Sequence, residues 1–270
     1  MNNLDKLCAN KMRFVYSMLL ISLFMVFNSS RVYAFDETKQ PCASSIIELV
    51  GKHIAVNNFK SRDADNGGVV IAMDCKTLPT DSSKQIAIFA YDAAIEYEKN
   101  FVVAIIDKSK LKVDSIYKDK IQEDASLTLG GSSLQIDTAR YQIAKGIRAF
   151  GVDIDTVFRQ GCVEGGFGSE RRLYAPNHNE IKPILEGFYI SSWSYTKGGV
   201  ACNGGMGDQS TEYFSYSIAV GNKSSKGMKN LQIIGKSSDR KRRPFTYMLR
   251  YDGDKYPTDG LQESLSKWRQ

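Results

Sequence analysis

QIAIFAY (residues 85–91) and FVVAIID (residues 101–107) are apolar at nearly every position. A strand with apolar side chains on both faces must be covered on both, so these segments belong in the middle of a packed sheet. Other segments alternate instead. EYFSYSIAV (residues 212–220) places Phe214, Tyr216, Ile218 and Val220 on one face, and PFTYMLRY (residues 244–251) does the same with Phe245, Tyr247, Leu249 and Tyr251. Asp252-Gly253 then marks a turn. Residues 133–158, SLQIDTARYQIAKGIRAFGVDIDTVF, predict two more strands joined near Lys145-Gly146.

Helical spacing is confined to the ends. SSIIELVG predicts a short helix with Ile46, Leu49 and Val50 on one side, Ser44 or Ser45 as cap and Gly51 as stop. Near the C-terminus Leu261, Leu265 and Trp268 recur at helical spacing, and Asp259 with Gln262 has the form of a capping box. The fold class is therefore mainly β, an antiparallel sandwich or propeller-like blades, with short helices near both ends of the mature chain. No repeat period counts blades. No linker composition interrupts residues 35–270, which read as a single β-rich domain with a soft division near 161–168, GCVEGGFG.

Lys6, Lys11 and Arg13 precede the apolar run MLLISLFMVF, and Val32 and Ala34 suit the −3 and −1 positions of a cleavage site. Residues 1–34 thus predict a secretory signal peptide, placing the product in the periplasm or outside the cell. The apolar run is about half of the roughly 20 residues a spanning helix needs, and no mature segment is apolar enough to cross. Cleavage removes Lys6, Lys11, Arg13, Arg31 and Asp5, so 36 basic and 30 acidic residues become 32 and 29, a net +3. That balance is too small to argue for nucleic acid or a membrane surface. RKRR (residues 240–243) lacks interleaved aromatics and reads as a solvated hairpin end.

Of five cysteines, Cys42, Cys75, Cys162 and Cys202 remain in the mature chain. An even count in an exported protein predicts two disulfides, and of three possible pairings local closure favours Cys42–Cys75 with Cys162–Cys202. No cysteine spacing suits zinc.

Familiar catalytic arrangements are missing. The glycine-rich stretches lead into strands and carry no G-K-[ST], so they read as turns rather than phosphate cradles. No G-x-S-x-G is present. Of the two histidines, His53 reads as entering a strand and His178 as lying in a turn. Asp153 and Asp155 alternate along a strand and share a face; with Glu164 they are the carboxylates a hydrolase would use. Glu123 and Asp124 form another acidic pair. Asp63 and Asp65 in RDADNGG resemble half a calcium loop without its later bidentate Glu. No cofactor or metal is expected.

SSWSYTKGGVACNGGMGDQS (residues 191–210) is the candidate binding stretch. Trp193 and Tyr195 alternate with polar residues, and Lys197 leads into Gly198-Gly199. Aromatics beside a cation are what protein-binding surfaces favour.

The block DTARYQIAKGIRAFGVDI (residues 137–154), with FVVAIID, IQEDASL and LRYDGDKYP, resembles an uncharacterised group of exported proteobacterial proteins. The resemblance implies a bacterial periplasmic or extracellular setting. YTKG (residues 195–198) is similar to the tail of a motif in small β-barrel inhibitors of c-type lysozymes, whose lysine reaches toward the enzyme's acidic site. The companion S-G-x-x-Y motif is missing. The expected function is an exported, disulfide-stapled binding protein for a protein partner in the envelope or outside the cell, such as an inhibitor or immunity protein. An envelope hydrolase and a structural envelope protein are the alternatives.

Overall fold

Strands β1 (Val70–Thr77), β2 (Lys84–Asp92), β3 (Glu98–Asp107) and β4 (Lys112–Gln122) form an antiparallel meander in that order. The two doubly apolar segments are its central strands, β2 and β3. Their register sets Ile88 against Val103 on one face and Phe89 against Val102 on the other, and all four are buried. Each face has its own cover, as the continuous apolar pattern demands.

The outer cover is helix α1 (Ser44–His53), which buries Ile46 and Val50 against this sheet and is tied to β1 by the Cys42–Cys75 disulfide. Neither Ser44 nor Ser45 caps this helix, and Gly51 does not stop it. Ala43 is the N-cap, without a side-chain hydrogen bond, and the helix runs through Gly51 to His53. A Cβ on Gly51 would lie 2.5 Å from Cβ of Phe59, so this glycine serves packing rather than termination. The chain turns out at Ala55, at φ 57°, where Val56 N–H reaches the Gly51 carbonyl at 3.0 Å. His53 consequently ends a helix and enters no strand.

The inner cover is a second sheet, ordered β11 (Glu180–Tyr189), β10 (Glu170–Asn177), β7 (Ile147–Ile154), β6 (Leu134–Ala144). Its Leu134, Ile136, Phe150, Val152 and Tyr174 pack with Ile86, Ile88 and Phe101 of the first sheet. Its opposite face carries Leu173, Ile184, Leu185 and Phe188 into a third sheet. That sheet runs β15 (Phe245–Leu249), β14 (Met228–Ser237), β13 (Ser210–Ser225), β12 (Ser191–Lys197), β9 (Gly165–Phe167). Phe214 and Tyr216 of β13 enter the same core, as their alternation predicts.

The result is a sandwich-like stack of three antiparallel sheets, with a two-stranded ribbon of β5 (Leu127–Thr128) and β8 (Val157–Phe158). Face-to-face layers, rather than blades around an axis, follow from a middle sheet apolar on both sides. Helix α2 (Asp259–Arg269) closes the third core with Leu261 and Leu265, and Trp268 packs edge-on against Phe214 at 5.4 Å. The capping box does not form. Thr258 is the N-cap, Asp259 is already helical, and Gln262 donates to the Gly187 carbonyl at 2.9 Å.

The computed structural model describes residues 42–62, 67–124, 127–158, 165–177, 179–197 and 210–270. The signal peptide and Ala34, Cys162 and Cys202, Asp63 and Asp65, Glu164, His178 and the Lys197 side chain lie outside the described residues. Within the region of the soft division, β9 joins the third sheet and the next strand, β10, returns to the second. No helix among the described residues is long and apolar enough to cross a membrane.

Candidate functional site

All three sheets contribute to one cleft of about 650 Å³. The first brings Lys120 and Gln122 from the end of β4, followed by Asp124. The second brings Ile154, Glu170, Arg172 and Tyr189; the third brings β9 and Trp193. The volume lies within the roughly 300–1,000 Å³ of ligand sites.

Strand β9 is built from glycine for a reason. A Cβ on Gly166 would lie 2.7 Å from Nε1 of Trp193, and one on Gly165 would lie 2.6 Å from the Trp193 carbonyl oxygen. The bare backbone lets β12 approach closely and lets the indole lie across β9 at the cleft wall. Next to it Phe167 is 54 % exposed, although its ring is held by Tyr189 at 4.7 Å and by the Arg269 guanidinium at 5.4 Å. Burial raises the Tyr189 phenol above its ordinary pKa, with Glu170 adding to the shift, so it stays a neutral hydroxyl.

The polar lining is pre-set by ion pairs. Arg172 donates to Glu170 at 3.0 and 3.2 Å and to Asp119 at 2.9 Å. Burial opposes its charge, but Glu170 and Asp119 outweigh burial and hold the guanidinium above its ordinary value. Glu170 also accepts Gly187 N–H at 2.9 Å. Lys120 reaches Glu98 at 2.7 Å, and Gln122 donates to the same carboxylate at 3.0 Å. Together these hold Glu98 below the usual carboxylate range. Asp124 accepts Leu127 N–H at 2.7 Å.

The structure separates the residues proposed from sequence. Trp193 enters the cleft, and Tyr195 stands edge-on to it at 5.3 Å. Lys197 is the last residue of β12. Asp153 and Asp155 differ in burial and in partner. Asp153 is buried on β7 and paired with Arg171 through two bonds of 2.6 Å, whereas Asp155 lies beyond the strand end and is exposed. Strand β7 ends at Ile154, and Asp155 N–H extends its pairing with β6 by one bond, to the Ser133 carbonyl at 2.8 Å. Glu123 accepts Leu129 N–H at 2.6 Å and contacts Lys99 at 3.3 Å. The basic run is not wholly solvated either. Arg242 lies over Phe214 at 5.7 Å and donates to Glu212 at 2.8 Å. Among the described residues no group of three or more His, Cys, Asp or Glu could hold a metal ion.

Phe167, Tyr189, Glu170 and Arg172 were not legible as a site. Their one sequence signal is an aromatic set among glycines in GGFG. Comparison with protein-family models, curated proteins and solved structures finds no match to this chain.

Proposed function

We propose that the chain is an exported, disulfide-stapled binding protein that holds an envelope or extracellular macromolecule in this cleft. One observation carries the reading: β12 is patterned against burial. Its core-facing residue is Ser192, 3 % exposed and hydrogen-bonded to the Tyr216 hydroxyl at 2.8 Å. Trp193 and Tyr195 take the opposite face, half-buried. Large aromatics withheld from a core and set beside an open cleft have the character of binding hot spots. The cleft's carboxylates support binding over turnover, because Glu170 is committed to Arg172 and Gly187 and Asp124 to a backbone amide.

The periplasmic or secreted setting rests on the N-terminal pattern and on the resemblance to exported proteins. Inhibition of an envelope-acting toxin or hydrolase is the most specific form of the proposal, with Lys197 as its candidate cation. The test is capture from envelope and culture fractions by oxidised residues 35–270, with a Phe167→Ala/Trp193→Ala bait as control. A stoichiometric partner lost on the control bait supports the reading. Equal capture by both baits removes the cleft from it, and capture of nothing favours the structural alternative.

A further inference from the structure

We propose that the outward side of the third sheet binds single-stranded nucleic acid, its bases stacked on Tyr213 and the Trp193 indole and its phosphates met by Lys236 and the basic hairpin beside them. This goes beyond the cleft reading and does not rest on it. Phe214 and Tyr216 turn into the core, so their neighbours Tyr213 and Ser215 turn out. Trp193 pairs with Tyr213 across β12 and β13, and directly opposed residues share a face. Lys236 pairs with Ser215 and joins the same side. Tyr213 is 61 % exposed, and next to it the indole lies over Gly166, which has no side chain to displace it. Aromatic rings on adjacent strands of an open sheet are how a β surface stacks successive unpaired bases.

The small charge of the whole mature chain hides where its cations sit. Residues 210–270 hold 12 Lys and Arg against 6 Asp and Glu, a net +6, so the remainder is net negative. The run RKRR has no aromatic within it, but the sheet supplies one. Ser238, where the hairpin leaves β14, donates its N–H to the Tyr213 carbonyl at 2.8 Å and accepts the Tyr213 N–H on its Oγ at 3.0 Å. Lys236, Arg240, Lys241 and Arg243 are exposed and in no ion pair among the described residues, whereas Arg242 is closed by Glu212. Asp239 is the one acid in the hairpin, and its carboxylate accepts the Lys241 N–H at 2.9 Å. The outward positions of β12, β13, β14 and β15 carry no acid among the described residues. Free cations beside open rings, without carboxylates between them, suit a chain that alternates phosphates with unpaired bases. A duplex keeps its base faces covered and has nothing to stack.

The test titrates oxidised residues 35–270 into a fluorescein-labelled oligothymidine of about 15 nucleotides, within the span of a single-strand site. Anisotropy and tryptophan emission are read across a salt series, with the duplex of the same oligonucleotide and heparin as comparisons. The expected result is saturable binding whose log K falls against log salt with a slope of about −2, as for three phosphates met. Lys236→Ala makes that slope shallower by about 0.7. Tyr213→Ala keeps the slope and weakens binding roughly fivefold or more, as for one stacked base. Bound oligonucleotide quenches Trp193, and Trp193→Phe removes the quenching although Trp268 remains. Circular dichroism stays unchanged in all three variants, whose positions face away from the core. Duplex or heparin bound as tightly as the oligonucleotide, with no effect of Tyr213→Ala, overturns the proposal in favour of a general polyanion surface. Absence of saturable binding overturns it outright, and an acidic protein captured through Tyr213 and Lys236 would then take its place. Tyr213 and Lys236 line no part of the cleft, so loss of oligonucleotide binding leaves the cleft reading standing.

Discussion

The Asp74 carboxylate accepts the backbone N–H of Ile136 at 2.7 Å, and two residues along β1 the Lys76 ammonium donates to the carbonyl of the same Ile136 at 2.7 Å. Ile136 lies on β6, the edge strand of the second sheet, and Asp74 and Lys76 lie on β1, the edge of the first. Side chains of one edge thereby satisfy backbone groups of another that would otherwise stay open. Asp74→Ala leaves a buried amide unmatched and is expected to cost about 1–3 kcal/mol. Urea unfolding should show a lower midpoint at unchanged slope. An unchanged midpoint would mean that this link contributes nothing.

Arg171 joins a buried polar cluster. It contacts Asp137 at 2.8 Å and the Tyr141 hydroxyl at 3.0 Å, besides its paired bonds to Asp153. Arg171→Ala leaves the buried Asp153 without its cation and also removes the Asp137 ion pair, an expected loss of about 3–5 kcal/mol. Arg171→Lys should recover little of it, because an ammonium cannot reproduce the planar two-bond contact. Denaturant midpoints of the two variants measure this directly, and near-native stability of Arg171→Lys would show that charge alone suffices.

Gly165 and Gly166 should separate cleanly. A methyl on Gly165 meets the Trp193 backbone oxygen, whereas one on Gly166 meets the end of the indole, which can move. Gly165→Ala is expected to part β9 from β12 and expose amides of residues 165–167 to hydrogen exchange. Gly166→Ala should keep that protection and shift the Trp193 emission. Identical behaviour of the two would refute the placement of the indole.

Glu212 gives an acid dependence with a definite sign. Its pKa is held below the ordinary value, chiefly by the Arg242 hydrogen bond and also by Ser237. A depressed folded-state value stabilises above the unfolded pKa of about 4.3, and that stability is lost as pH falls through the folded value. The melting temperature should therefore drop between about pH 6 and pH 3. Glu212→Gln should make the fall shallower without abolishing it, since Glu98 and Asp107 are depressed as well. A steeper fall in Glu212→Gln would reverse the assignment.

Cys42 and Cys75 are 33 residues apart in sequence and join the segment just before α1 to β1. On the chain-entropy model this loop contributes about 3–4 kcal/mol. The double variant Cys42→Ala/Cys75→Ala should lose stability of that order and release α1 first. Loss of helix protection before sheet protection in hydrogen exchange is the signature to look for.

Local patterning was enough for the mainly β class, the central position of residues 85–91 and 101–107, the inward face of Phe214 and Tyr216, and a Cys42–Cys75 pairing by proximity. Each depends on side-chain alternation or short loop closure, which neighbouring residues determine. Helix ends were less legible, because Gly51 answers to Phe59 and Gln262 to Gly187, partners absent from their own windows. The stacking of three sheets, the capture of Asp153 by Arg171 and the assembly of Phe167, Tyr189, Glu170, Arg172 and Trp193 around one cleft belong to the tertiary structure alone. Those residues come from strands of different sheets, and no period in the chain encodes which sheet edges will meet. Burial decides that, by covering both faces of the first and second sheets and leaving the aromatics of β9 and β12 at the junction, where no core takes them.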